Sequence, residues 1–237
     1  ADSTSVEHVE SEALADAIYR AAGARVPFST MTTFGGQPVK ASEFLPGGAE
    51  INTAGPAYYP QAREHFILDA LLGNWDAVGT GKNNMLVVAG EVWRIDNGGA
   101  LLFRAMGLPK NAKWITPEVQ ELKTLLNPLI SRDAAAVYGG ITQDEINRQI
   151  LDVLNRRAKI LSVASKDPKV RDFLEARLDW LASQLPARMK ATAPPAAAVA
   201  DIIPPDIERR LRVAKRAGVQ LDVDGPDIED NNVLVWR

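Results

Sequence analysis

The reading turns on Leu68-Asp69-Ala70-Leu71-Leu72-Gly73-Asn74-Trp75-Asp76, then Asn83-Asn84-Met85-Leu86-Val87, then Trp93-Arg94-Ile95-Asp96-Asn97-Gly98-Gly99. The order is apolar helix, polar loop, hairpin, acidic turn. Residues 61–74 carry Phe66, Ile67, Leu71 and Leu72 for burial, and residues 75–83 form the loop. Met85–Val88 and Glu91–Ile95 alternate as short strands joined at Ala89-Gly90. A hairpin brings its two ends together, so Asn84 and Asp96 are expected side by side. Asp76 closes the helix side of the same loop.

Those residue types suit phosphate chemistry. Magnesium prefers hard oxygen ligands, commonly one or two carboxylates completed by phosphate oxygens. Asp96 offers a carboxylate and Asn84 an amide oxygen. Asp76 is then free to orient or deprotonate an attacking hydroxyl, the division of labour in phosphoryl transfer. Asp and Asn singly are turn formers; their order around the hairpin carries the argument.

The rest of the chain frames this segment. Residues 6–22 read as a helix, and residues 28–34 and 37–45 as two strands around Gly35-Gly36. Residues 49–60 read as loop. From 116 to about 186 the pattern is helical, with Thr116-Pro117-Glu118 as an N-cap followed by Pro. Thr142 and Glu145 form a capping box opening a helix to about Leu161, and residues 167–185 form another. Residues 187–200 are Ala/Pro-rich, Pro204–Gly218 reads as a short helix, and Val233–Trp236 as a terminal strand.

Composition narrows the function classes. The 237 residues are 46% hydrophobic and 24% charged, with a net charge of −3. That is the balance of an ordinary soluble globular protein and gives no reason to expect nucleic-acid or membrane partners. With no cysteine and only His8 and His65, thiol chemistry and histidine-rich metal sites are excluded. No apolar run reaches the roughly 18 residues of a membrane span. No signal peptide is visible, so a cytoplasmic setting is the default expectation. The chain begins at Ala1 and reads as a processed or excised piece. Gly79-Thr80-Gly81-Lys82 lacks the Ser or Thr of a P-loop and is set aside as one.

The pattern Gly-Asn-x-Asp, loop, Asn-hydrophobic-hydrophobic, hairpin, Ile-Asp-Asn-Gly resembles that of atypical kinase-fold enzymes, the HipA-like and phosphoinositide 3-/4-kinase-like families. The resemblance covers residues 10–105. It implies an α+β, predominantly helical fold: a kinase-like C-terminal lobe with a partial N-terminal lobe. It implies an ATP- and Mg2+-dependent phosphotransferase acting on a hydroxyl of an unidentified protein or small-molecule acceptor. Carried over, Asp76 is the catalytic Asp, and Asn84 and Asp96 are the metal ligands. Glu12 pairs a phosphate-binding lysine, with Glu10 as its competitor, and Glu43-Phe44-Leu45 forms the hinge that meets adenine. The expected organisation is residues 1–48 as the partial lobe, 49–186 as the helical lobe, 187–203 as a linker and 204–237 as an appendage.

This sequence departs from the family's pattern in three ways. The Asp76 loop is longer and lacks Arg-His, Asn97 replaces the Phe after the metal-binding Asp, and no lysine precedes the Glu12 helix. Lys82 and Lys40 are the stand-ins. The missing lysine strand keeps a pseudokinase or a nucleotide-binding module without turnover as the alternative. A structural segment of a larger phage or mobile-element protein is a second rival. Arg94 and Arg104 flank the acidic turn and are read as ion-pair residues, either of which suits Asp96 or a phosphate. Trp75 and Trp93 are read as core or pocket wall, and His65 as exposed or between helices.

Overall fold

The computed structural model describes residues 6–190 and 233–235. These residues belong to one compact unit. The linker from 191 onward and the helix expected at Pro204–Gly218 lie outside the described residues.

Helix α1 (Val6–Ala21) buries Ala15, Ile18 and Tyr19, but also His8, Ser11 and Asp16. Of these polar groups, His8 bonds the Gly98 carbonyl and Asp16 accepts from Ser29. Two strands follow, β1 (Ser29–Phe34) and β2 (Gln37–Glu43), paired antiparallel from Ser29↔Ser42 to Phe34↔Gln37. The hairpin turns where both Gly35 and Gly36 have positive φ, the backbone a two-residue turn demands. Strand β6 (Val233–Val235) pairs with Ala41–Glu43 of β2, so the sheet order is β1-β2-β6.

Residues 49–60 are not a plain loop. They hold a two-residue strand β3 (Ala49–Glu50), a short helix α2 (Ile51–Ala54) and a 3-10 turn at Pro56–Tyr58. The expected helix over 61–74 is two helices, α3 (Tyr59–Arg63) and α4 (Phe66–Leu71). Gln149 separates them: its amide donates to the Arg63 carbonyl (2.7 Å) and its oxygen accepts from Ile67 N–H (3.1 Å). A side chain serving both sides of a break replaces the missing helical bonds. Every residue of α4 is buried, as a helix apolar on nearly all sides must be.

The second sheet has the order β3-β4-β5, with β4 (Met85–Val88) and β5 (Glu91–Arg94) in register from Met85↔Arg94 to Val88↔Glu91. Its turn also runs through two positive-φ residues, Ala89 and Gly90.

Beyond Gly99 the chain is helical but more broken than its pattern predicts. Thr116 caps nothing; its hydroxyl donates to the Glu118 carbonyl, and α5 spans only Glu121–Thr124. Helix α6 (Arg132–Tyr138) was not foreseen as a separate element. Helix α7 (Gln143–Asn155) opens on the Thr142–Glu145 capping box and stops short of Leu161. Arg156 breaks the pattern and α8 (Arg157–Ala164) resumes it. Asp167 caps α9 (Pro168–Gln184), which buries Phe173, Leu174, Leu178 and Leu181 around α4. Such caps typically stabilise by about 1 kcal/mol each. The first residues of the expected linker are helical, as α10 (Ala187–Lys190). The architecture is α+β with helices predominating. Among the described residues, no helix is long and apolar enough to cross a membrane.

Candidate active site

The β4–β5 hairpin sets the site. One step before Met85↔Arg94, Ile95 N–H donates to the Asn84 carbonyl at 3.0 Å, so the ladder runs to the edge of Asp96. Asp96 itself adopts φ 51°, ψ 63°, a left-handed conformation that Asp tolerates better than most residues. It leaves the strand, stays exposed, and opens a 3-10 turn at Asn97–Gly99.

Asp76 approaches from the helix side. Asn84 Nδ2 donates to the Asp76 carbonyl (2.8 Å) and to Asp76 Oδ2 (3.1 Å). The amide nitrogen is thereby committed to Asp76, and Oδ1 lies beside Gly79, where an added Cβ would come within 2.8 Å of it. Burial raises the Asp76 carboxyl above its ordinary range, the nearby Asp96 charge raises it further, and the Asn84 bond opposes both. The two carboxylates therefore interact across the mouth of the site.

Glycines permit this approach. A Cβ on Gly99 would lie 3.2 Å from Asp76 Cβ and 3.3 Å from Asn74 Oδ1. One on Gly98 would lie 2.9 Å from His8 Nε2, which is bonded to the Gly98 carbonyl. The turn after Asp96 is thus pressed between α1 and the Asp76 loop.

A buried polar relay runs beneath. Asn74 Oδ1 accepts from Asp76 N–H (3.2 Å), and its Nδ2 donates to Tyr19 Oη (3.1 Å) and Asn97 Oδ1 (3.3 Å). Asn97 Nδ2 donates to Asp16 Oδ1 (2.8 Å). Asp16 Oδ2 accepts from Ser29 Oγ (2.7 Å) and from Lys40 Nζ (3.1 Å). Lys40 then reaches Glu12 Oε1 at 2.5 Å. Asp16 and the two asparagines were missed in the sequence reading. The spacing Glu12, Asp16 was the available signal, since i and i+4 share one helix face.

Glu12 does have a lysine partner, and it is Lys40, on the second strand after the helix. Burial raises the Glu12 carboxyl; Lys40 pulls it down, while Asp16 and Asp96 push it up. Burial alone would depress the Lys40 ammonium, but Asp16 and Glu12 outweigh it and the net shift is upward. Lys40 is therefore held as a cation. The Asp96 charge thus raises both Asp76 and Glu12.

The other expected residues lie elsewhere. Lys82 is engaged by Asp133 of α6 at 3.1 Å, and the same carboxylate accepts from Gly81 N–H at 2.9 Å. That ties the lysine to α6. Glu43 ends β2, with its carboxylate 3.3 Å from Phe28 N–H, and Phe44 is exposed. Leu45 accepts from Gly48 N–H, and Gly48 packs against Leu86 and Val88 of β4. The expected hinge thus rests on the outer face of the hairpin.

Arg94 does not meet Asp96. It is fully buried and forks onto Asp69, Nε to Oδ1 at 2.7 Å and Nη2 to Oδ2 at 2.6 Å. Tyr19 and Tyr138 complete the Asp69 shell at 2.9 and 2.8 Å. Arg104 is exposed. Trp75 donates to Glu121 and meets Trp114 edge-on, a wall position, and Trp93 is half-buried. His65 is half-buried, and burial, helped by Arg94, lowers it to about 4.

No protein-family model matches this sequence, and no curated protein matches it either. Among solved structures, the Helicobacter pylori proinflammatory kinase CtkA is similar, with a TM-score of 0.44 and 16% identity. That likeness covers 75% of this chain and 80% of the other. It is remote in both sequence and superposition, so the site's own geometry is what bears on function.

Among the described residues, no group of three or more His, Asp or Glu side chains could hold a metal by itself. The donors present are one carboxylate, Asp96, and one amide oxygen, Asn84. That set is too small for a standing protein cage but fits magnesium arriving with phosphate oxygens and water.

Proposed function

We propose that this chain is an ATP- and magnesium-dependent phosphotransferase of kinase-like type, acting on a hydroxyl acceptor. One observation carries the reading: the Asn84 amide bonds the Asp76 carboxylate at the foot of the hairpin whose second strand runs directly into Asp96.

Each side chain then has a role set by its surroundings. The Asn84 Oδ1 and the Asp96 carboxylate are the oxygens that would hold magnesium. Bound with the nucleotide phosphates, the metal supplies charge neutralisation during phosphoryl transfer. Lys40, fixed by Glu12 and Asp16, presents an ammonium to a phosphate oxygen. Asp76 accepts the proton of the attacking hydroxyl, and the Asn84 bond keeps its carboxylate aimed. The adenine would lie against Glu43-Phe44-Leu45.

Mg-ATP titration followed by thermal melting, with transfer of labelled γ-phosphate measured in parallel, tests this. The expected result is a raised melting temperature that Asp96→Ala removes. No shift with Mg-ATP, and an Asp96→Ala variant identical to the parent, would defeat the reading. Binding without transfer would make the chain a nucleotide-binding module without turnover.

A further inference from the structure

Lys110 is buried at 7% exposure although it carries an ammonium. Its Nζ donates to three backbone carbonyls: Gly73 at 2.8 Å, Gly99 at 3.0 Å and Leu101 at 2.8 Å. Gly73 lies three residues before Asp76, and Gly99 three residues after Asp96. One side chain therefore ties together the two loops that carry the candidate carboxylates.

The third carbonyl adds weight. Leu101 is buried with φ 56°, a left-handed backbone that a branched apolar residue adopts only when its surroundings impose it. Two bonds do so: Leu101 N–H donates to the Leu72 carbonyl at 2.7 Å, and Leu101 C=O accepts from Lys110. Each is made to the segment leading into Asp76 or to the lysine that spans both loops.

We infer that Lys110 is a positioning residue, a three-carbonyl clasp that sets the spacing of Asp76 and Asp96. The inference rests on the phosphotransfer reading for its consequence, but the clasp itself is a property of the ligand-free chain. Only an ammonium has three donors; a neutral amine has two and turns a lone pair toward the third carbonyl. The clasp is thus proton-dependent. Burial, foremost, and Arg177 of α9 push the Lys110 pKa down to about 7, against the pull of Glu121 of α5. On its outer side Lys110 borders a groove of about 1300 Å³, whose charged lining is Glu7, Glu10 and Arg20 of α1 with Lys166, Asp167 and Lys169 around the start of α9.

The test compares the parent chain with Lys110→Met at pH 6 and pH 8.5. Hydrogen-exchange protection of segment 97–103, corrected for intrinsic exchange, is read without ligand. The parent should lose about tenfold in protection between the two pH values, and the variant should be poorly protected at both. Calorimetric Mg-ATP binding at saturating magnesium should weaken in the parent on the same pH step and be weak and pH-independent in the variant. Equal protection and equal affinity of parent and variant at pH 6 would overturn the clasp. If Lys110→Met does not fold, Lys110→Gln is compared in its place at pH 6, and parent-like protection of 97–103 in that variant overturns the clasp. A parent that binds no Mg-ATP at either pH, with the exchange pattern as expected, would remove the phosphotransfer reading and leave the clasp standing.

Discussion

Lys40 Nζ lies 2.5 Å from Glu12 Oε1 and 3.1 Å from Asp16 Oδ2, though the lysine follows that glutamate by 28 residues. The pair joins a strand to the helix before it. Lys40→Met leaves the buried Asp16 and the half-buried Glu12 without their cation and should destabilise the chain by about 3 kcal/mol. It should also weaken Mg-ATP binding. Glu12→Gln should cost less, because Asp16 still holds the lysine. Urea denaturation and calorimetric nucleotide titration of both variants check this ordering.

Asp76→Asn removes the proton acceptor and keeps the shape. Transfer should fall by roughly 10²–10⁴-fold while Mg-ATP affinity stays close to that of the parent. In the parent, transfer should be lost as pH falls through the Asp76 pKa, at a higher pH than for an exposed aspartate, because burial and Asp96 raise that group. Asp96→Asn lowers the midpoint in any residual activity. The pH profile of kcat/KM measures both.

Lys82 and Asp133 form an ion pair. Lys82→Ala should change Mg-ATP affinity by less than about threefold and stability by less than about 1 kcal/mol, as for other partly exposed pairs. A loss of affinity comparable to that of Lys40→Met would instead put Lys82 on a phosphate.

His65 titrates near 4 in the folded chain, against 6.5 ordinarily. Between those values the unfolded chain binds a proton that the folded chain refuses, so stability falls as pH drops through that window. The loss should be about 2 kcal/mol and should disappear in His65→Asn. Denaturation midpoints from pH 7 to pH 4 report it.

What could be read from the sequence was what neighbours in the chain decide. The two hairpins follow from alternation around Gly35-Gly36 and Ala89-Gly90, and the start of α7 from the Thr142–Glu145 box. The nearness of Asn84 and Asp96 follows from the hairpin itself. What escaped was decided by distant partners. Gln149 splits an otherwise continuous helical pattern from 82 residues away. Asp133 holds Gly81 from 52 residues away. Arg94 turned from the adjacent Asp96 to Asp69 because a guanidinium in the core needs a buried carboxylate to fork upon. Lys110, an unremarkable residue between Pro109 and Asn111, acquires its meaning only when three carbonyls close around it.

Asp69 accepts from Arg94, Tyr19 and Tyr138, side chains 25, 50 and 69 residues away along the chain. None of those bonds can be finished by a local stretch folding alone. The first helix, the hairpin, α4 and α6 are therefore obliged to assemble together, and to come apart together. In native-state exchange, the amides at the end of α1, along β5 and in α4 should form one slow group opening only with global unfolding. Such long-range closure also makes folding slow relative to a helical bundle of equal size.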